Sequence, residues 1–271
     1  MELEGGKDPS GWPFPLPQKR ENPTYKEAAV IPYILTVKRL TKSFGKLTAV
    51  QDLSFELNRD EILGIIGPNG AGKTTLFSLI TGEIKPNQGK ITFNGTDVTY
   101  AQTYEKCRMG IARTYQIPRP FLNMTVLENL LVGAIYGAGT RGTQAKLRCE
   151  EILTKTDMLS KKNVLAGSLT LLDRKRLELA KALSTNPTLL LIDEVAGGLT
   201  ESEVEQILAI IHSVRKSGVT VLWVEHIMMA MKKGPDRLLV MNAGQRLFCG
   251  KPEEAFESQE VQRVYLGTED D

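Results

Sequence analysis

The sequence predicts an α/β fold built around a phosphate-binding loop, and three observations support this. Gly67-Pro68-Asn69-Gly70-Ala71-Gly72-Lys73-Thr74-Thr75 matches G-x-x-x-x-G-K-[ST] between a strand-like run, Glu61 to Ile66, and a helix-like one, Thr75 to Thr81. Two further apolar runs, Leu189 to Ile192 and Val219 to Val224, have the unbroken character of parallel strands buried on both faces. Between them lies an amphipathic stretch with Val204, Ile207, Leu208, Ile211 and Val214 on one side. Thr200 and Glu203 open it at capping-box spacing, and Gly218 closes it.

In chain order, residues 1–33 carry Pro9, Pro13, Pro15, Pro17, Pro23 and Pro32 without helical or strand periodicity, and are expected to form an extended appendage. Residues 34–267 form the expected folded domain, and 268–271 an acidic tail. Short β-rich runs at Leu35 to Leu40 and Leu53 to Leu57 precede the loop strand, and a strand with an Asn94-Gly95 turn follows at Lys90 to Phe93. The middle, about 102–185, reads as helical, with apolar-periodic stretches at Val126 to Tyr136, Thr143 to Leu159 and Arg174 to Leu183.

Composition narrows the class. Against 32 acidic residues stand 34 basic ones, a net charge of +2, so no nucleic acid partner is expected. Cys107, Cys149 and Cys249 are scattered, which argues against a disulfide framework or a zinc site and for a reducing compartment. No apolar run approaches the roughly 18 residues of a spanning helix, and Met1 to Arg20 lacks the apolar centre of a signal peptide.

The residues of the loop carry the chemistry. Glycines at 67, 70 and 72 let backbone N–H groups point inward around a phosphate, and the following helix adds its partial positive charge. Lys73 is placed to bridge the β- and γ-phosphates, Thr74 to enter a Mg²⁺ shell, and Thr75 to reach the α-phosphate side. Asp193 follows four large apolar residues at a strand end, where it can hold the water shell of Mg²⁺. Glu194, one position on, can orient or deprotonate an attacking water.

Phosphate loop, helical middle, acidic pair and a later histidine, in this order, resemble an ABC-type ATPase over about residues 35–267. The resemblance implies a P-loop NTPase core with an inserted helical subdomain and an N-terminal antiparallel β subdomain, binding ATP and Mg²⁺. It implies that Gln116 contacts Mg²⁺ and the attacking water, that His226 contacts the γ-phosphate, and that Phe44 stacks on adenine. Gly110 to Gln116, then Met124 to Leu130, and the ending Val264-Tyr265-Leu266-Gly267 are similar to the branched-chain amino-acid importer ATPases, the LivG type. That type implies a subunit on the cytoplasmic face of the inner membrane, facing a second ATPase subunit and driving integral-membrane permease subunits. A lipopolysaccharide-export ATPase and a soluble ABC ATPase of repair or translation remain alternatives.

One departure from the family pattern bears on assembly. Where the family has Leu-Ser-Gly-Gly-Gln, this chain has Leu169-Thr170-Leu171-Leu172-Asp173. Thr170 keeps a hydroxyl, Leu171 and Leu172 add bulk, and Asp173 is expected to bring negative charge towards a negative ligand. The same residues also read as a helix start capped by Thr170. The expectation is a heterodimer with unequal sites.

Overall fold

The computed structural model describes residues 32–266; the proline-rich stretch before them and the acidic tail after them lie outside. Strands β1 (Tyr33–Phe44) and β2 (Leu47–Asn58) form a hairpin, and β3 (Ile62–Ile66) feeds the loop into α1 (Lys73–Thr81). Then come β4 (Gln88–Phe93), β5 (Thr96–Asp97), α2 (Thr103–Met109) and β6 (Ile111–Arg113). A helical run of α3 (Val126–Val132), α4 (Gly142–Lys155) and α5 (Leu171–Ser184) follows. The chain closes with β7 (Leu189–Asp193), α6 (Glu201–Lys216), β8 (Thr220–Val224), α7 (Met228–Lys233), β9 (Arg237–Asn242), β10 (Gln245–Gly250), α8 (Pro252–Glu257) and α9 (Gln259–Leu266). None of the described helices is long and apolar enough to cross a membrane.

Two sheets result. One is antiparallel in the order β2-β1-β4-β5; the other runs β10-β9-β3-β8-β7-β6, parallel from β9 to β6, with β10 antiparallel at its edge. Because side chains alternate along a strand, the central strands feed two cores. Leu63, Ile65, Leu189, Leu191, Leu222 and Val224 pack with α1 and the antiparallel sheet. Ile62, Ile66, Leu190, Ile192, Val221 and Trp223 pack with the later helices. That two-faced burial is why these strands read as unbroken apolar runs.

The helical reading of 102–185 misses β6, which pairs in register with β7 from Ile111↔Leu189 to Arg113↔Leu191. Three residues are too few to show periodicity. The helix expected over Val126 to Tyr136 ends at Val132 and continues as a single wider turn over Gly133–Gly137, in a segment weakened by two poor helix formers.

Helix α1 carries no basic residue in its own last turn. Lys106 of α2 supplies the missing donor: its Nζ donates to the carbonyls of Leu79 at 3.1 Å and Ile80 at 3.0 Å. Burial, with Lys85 close by, pushes its pKa down to about 8 from the ordinary 10.5. The unfolded chain therefore holds this proton more tightly, and unfolding free energy should rise as pH climbs from about 8 towards 10.5. Denaturant midpoints at pH 7.5 and 9.5 should show that rise in the parent and a smaller one in Lys106→Met.

Candidate functional site

The phosphate loop is squeezed from two sides. A Cβ on Gly67 (φ +154°) would lie 2.1 Å from the Met241 carbonyl oxygen, and one on Gly72 (φ +96°) 2.2 Å from that of Ala49. Only glycine fits at either place, so β9 and β2 set the loop's curvature. Lys73 is buried, and its Nζ donates to the carbonyls of Gly67 at 2.7 Å and Pro68 at 3.0 Å. Burial lowers its pKa, opposed by the nearby Glu194 and Asp193 carboxylates. Thr74 is exposed and Thr75 half-buried at the start of α1.

Strand β8 lies between β3 and β7, so the phosphate loop, His226 and Glu194 leave neighbouring strands at their carboxyl ends, where open parallel sheets bind ligands. Glu194 has φ +44°, a left-handed conformation that costs a non-glycine residue on the order of 1 kcal/mol. Its N–H still reaches the Val224 carbonyl at 2.9 Å. Gln116 Nε2 donates to Glu194 Oε2, and His226 Nδ1 stands 3.5 Å from the same oxygen and 3.3 Å from Glu225 Oε1. Gly67, Pro68, Asn69, Gln116, Glu194 and His226 together line a cavity of about 410 Å³.

Gly70 to Thr75, Asp193 and Phe44 stand outside that lining. Asp193, at the end of β7, is buried, with Arg113 Nη2 2.7 Å from its Oδ2. Phe44 is half-exposed at the tip of the β1–β2 hairpin, with Lys42 Nζ 5.1 Å from its ring centre. Among the described residues no three His, Cys, Asp or Glu side chains gather to hold a metal. Thr74, Asp193 and the Gln116 amide instead offer hard oxygen donors, the kind that suits Mg²⁺ held partly by phosphate and water.

Sequence reasoning missed three side chains that build the site. Lys175 lies in the helical stretch expected from Arg174 to Leu183; it is buried, and its Nζ donates to the carbonyls of Gln116 at 3.0 Å and Glu194 at 3.1 Å. Its spacing of four from Leu179, itself buried, was the available signal. Glu225 is fully buried and accepts from the N–H groups of Ala196 at 2.8 Å, His226 at 2.9 Å and Ile227 at 3.4 Å. Burial pushes its carboxyl pKa up, while these donors pull it down. Arg113 is the third.

At the start of α5 the charge expectation is corrected. Asp173 is buried and turned inward, paired with Lys161 and, at 3.7 Å, with Arg176, so its charge is neutralised within the chain. Thr170 caps the helix: its Oγ1 accepts from the Asp173 N–H at 3.3 Å and donates to Asp173 Oδ2 at 2.9 Å. Leu171 is half-exposed beside Gly198.

A glycine-rich loop on a buried parallel strand, with an acidic strand end, a glutamine and a histidine converging beside it, defines a P-loop nucleoside triphosphatase. More narrowly, the ABC transporter family matches residues 50–197, and this chain belongs to it as an ATP-binding, ATP-hydrolysing subunit. It is 37% identical over 249 residues to the high-affinity branched-chain amino acid transport ATP-binding protein LivG of Salmonella typhimurium, covering 86% of this chain and 98% of that one. To the lipopolysaccharide export system ATP-binding protein LptB of Haemophilus influenzae it is 32% identical, covering 86% and 97%. Its fold is similar to a solved ATP-binding cassette of an ABC transporter in the ADP conformation, with TM-score 0.81, 30% identity, and 87% and 99% coverage.

Removing the Glu225 carboxylate leaves three backbone N–H groups without their acceptor. Glu225→Ala should therefore lower unfolding free energy by on the order of 3 kcal/mol. Chemical denaturation of the full chain checks this, and Glu225→Gln, which keeps one acceptor oxygen, should lose less.

Proposed function

We propose that this chain is the ATP-hydrolysing subunit of an importer of branched-chain amino acids. It sits on the cytoplasmic face of the inner membrane against an integral-membrane permease and pairs with a second ATPase subunit. The observation that carries the reading is the convergence of the phosphate loop, Gln116, Glu194 and His226 on one cavity. The importer class is favoured over the exporter class by relatives such as the LivG protein of Escherichia coli, 36% identical over 249 residues, against 32% for the export relative.

In this reading Gly67, Pro68, Asn69, Gly70, Ala71, Gly72, Lys73, Thr74 and Thr75 wrap the triphosphate, and Phe44 stacks on the adenine. Thr74, Asp193 and Gln116 would hold Mg²⁺, which when bound would neutralise phosphate charge. Glu194 accepts the proton of the attacking water, Gln116 orients that water, and His226 steadies the γ-phosphate. Glu194→Gln keeps the shape and removes the base, so ATP turnover should fall at least about 100-fold while ATP affinity stays within a few-fold. Steady-state hydrolysis and a nucleotide titration read the two effects. Turnover within a few-fold of the parent contradicts the assignment.

The second subunit is proposed to be a different chain. The single proton of the Thr170 hydroxyl is committed to Asp173, and Leu171 and Leu172 stand where the family carries glycines. A partner's phosphate would find little to donate to it here. This chain's own Lys73, Asp193 and Glu194 can instead be completed by a partner with an intact signature. ATPase rates should be low for the chain alone and higher on adding such a partner. Glu194→Gln in this chain should cost the pair more than the equivalent change in the partner. Full-rate hydrolysis by a stable homodimer counts against the asymmetric arrangement.

A further inference from the structure

Arg113 ends β6 as one of the most enclosed charged side chains near the site, with its side chain 7% exposed. Its Nη2 donates to Asp193 Oδ2 at 2.7 Å, while Nη1 donates to both Glu83 oxygens at 3.1 Å and to Ser78 Oγ at 3.2 Å. The rings of Tyr115 and Phe77 lie 5.3 and 5.6 Å from its Cζ. Two carboxylates, a hydroxyl and two ring faces therefore fix the guanidinium in one place. Only a planar fork makes these contacts at once; a lysine ammonium could satisfy one side.

We propose that Arg113 is a positioning residue for Mg²⁺, fixing the Asp193 carboxylate through Oδ2 while Glu83 anchors the far side of the guanidinium. The proposal rests on Asp193 being the Mg²⁺ carboxylate. Two effects oppose each other. A cation beside Asp193 repels Mg²⁺, and salt screens that repulsion little at a buried pair; but the Glu83 carboxylate offsets the arginine charge, and Mg²⁺ demands near-octahedral geometry while keeping several of its waters, so a correctly oriented oxygen matters more. Groups that orient metal ligands typically contribute about 10- to 100-fold in metal affinity. Arg113 also lines a second cavity of about 260 Å³, together with Cys107, Tyr115, Phe121 and Lys181. One side chain thus contacts both that cavity and the acidic end of β7.

The test is a titration of free Mg²⁺ against binding of a fluorescent ATP analogue, with the full chain carrying Glu194→Gln so that nothing is hydrolysed. In that background Arg113→Met should raise the Mg²⁺ concentration needed for half-maximal tight binding by about 10- to 100-fold. Affinity for the analogue in EDTA should change less than about 3-fold, a split that a general loss of structure would not produce. Arg113→Lys should fall between parent and Met. Glu83→Gln, at a more exposed position, should give a shift in the same direction by about 3- to 10-fold, and serves if Arg113→Met fails to fold. An unchanged or tightened Mg²⁺ requirement, or equal losses with and without Mg²⁺, overturns the proposal. Asp193→Asn separates the two ideas. If it leaves the Mg²⁺ requirement unchanged, the reading of Asp193 is wrong whatever Arg113 does; if it raises the requirement and Arg113→Met adds nothing further, both stand.

Discussion

Everything at the site depends on one sheet being buried on both faces with its strands parallel. Parallel order sends β3, β8 and β7 out at the same edge, and burial on both faces leaves those strands no freedom to slip register. A one-residue shift in β7 would exchange Leu191 and Ile192 between two different cores. The loop ends that carry Lys73, His226 and Glu194 are therefore held in relation to one another by hydrocarbon packing several residues away.

Three buried lysines follow a second rule. Lys73, Lys106 and Lys175 are all buried, and each places its ammonium on two backbone carbonyls. For all three, burial lowers the pKa. An ammonium taken from water costs free energy unless its donors are used, and loop or helix-end carbonyls need donors when enclosed. The pairing satisfies both needs, and it ties segments that no regular ladder connects.

Much of this was legible in the sequence, and for definite reasons. The phosphate loop, the ends of β7 and β8, and the capped start of α6 each leave a local signature: a glycine spacing, an unbroken apolar run ended by a charge, a threonine three residues before a glutamate. Strand β6 left none, because three residues at a sheet edge are set by pairing with β7 rather than by their own pattern. Lys175 and Glu225 were hidden because a charged residue in a sequence reads as solvated, and only the fold shows which charges meet carbonyls or N–H groups. Asp173 departs from its expected role because its neutralising partners, Lys161 and Arg176, come from a short 3-10 turn and from its own helix.

The Lys175 contact gives the molecule a mechanical joint. One ammonium on α5 grips the carbonyls of Gln116 and Glu194, which belong to segments 78 positions apart in the chain. Its three N–H donors let it serve both carbonyls at once. A displacement of this nitrogen would therefore act on the backbone at Gln116 and at Glu194 together.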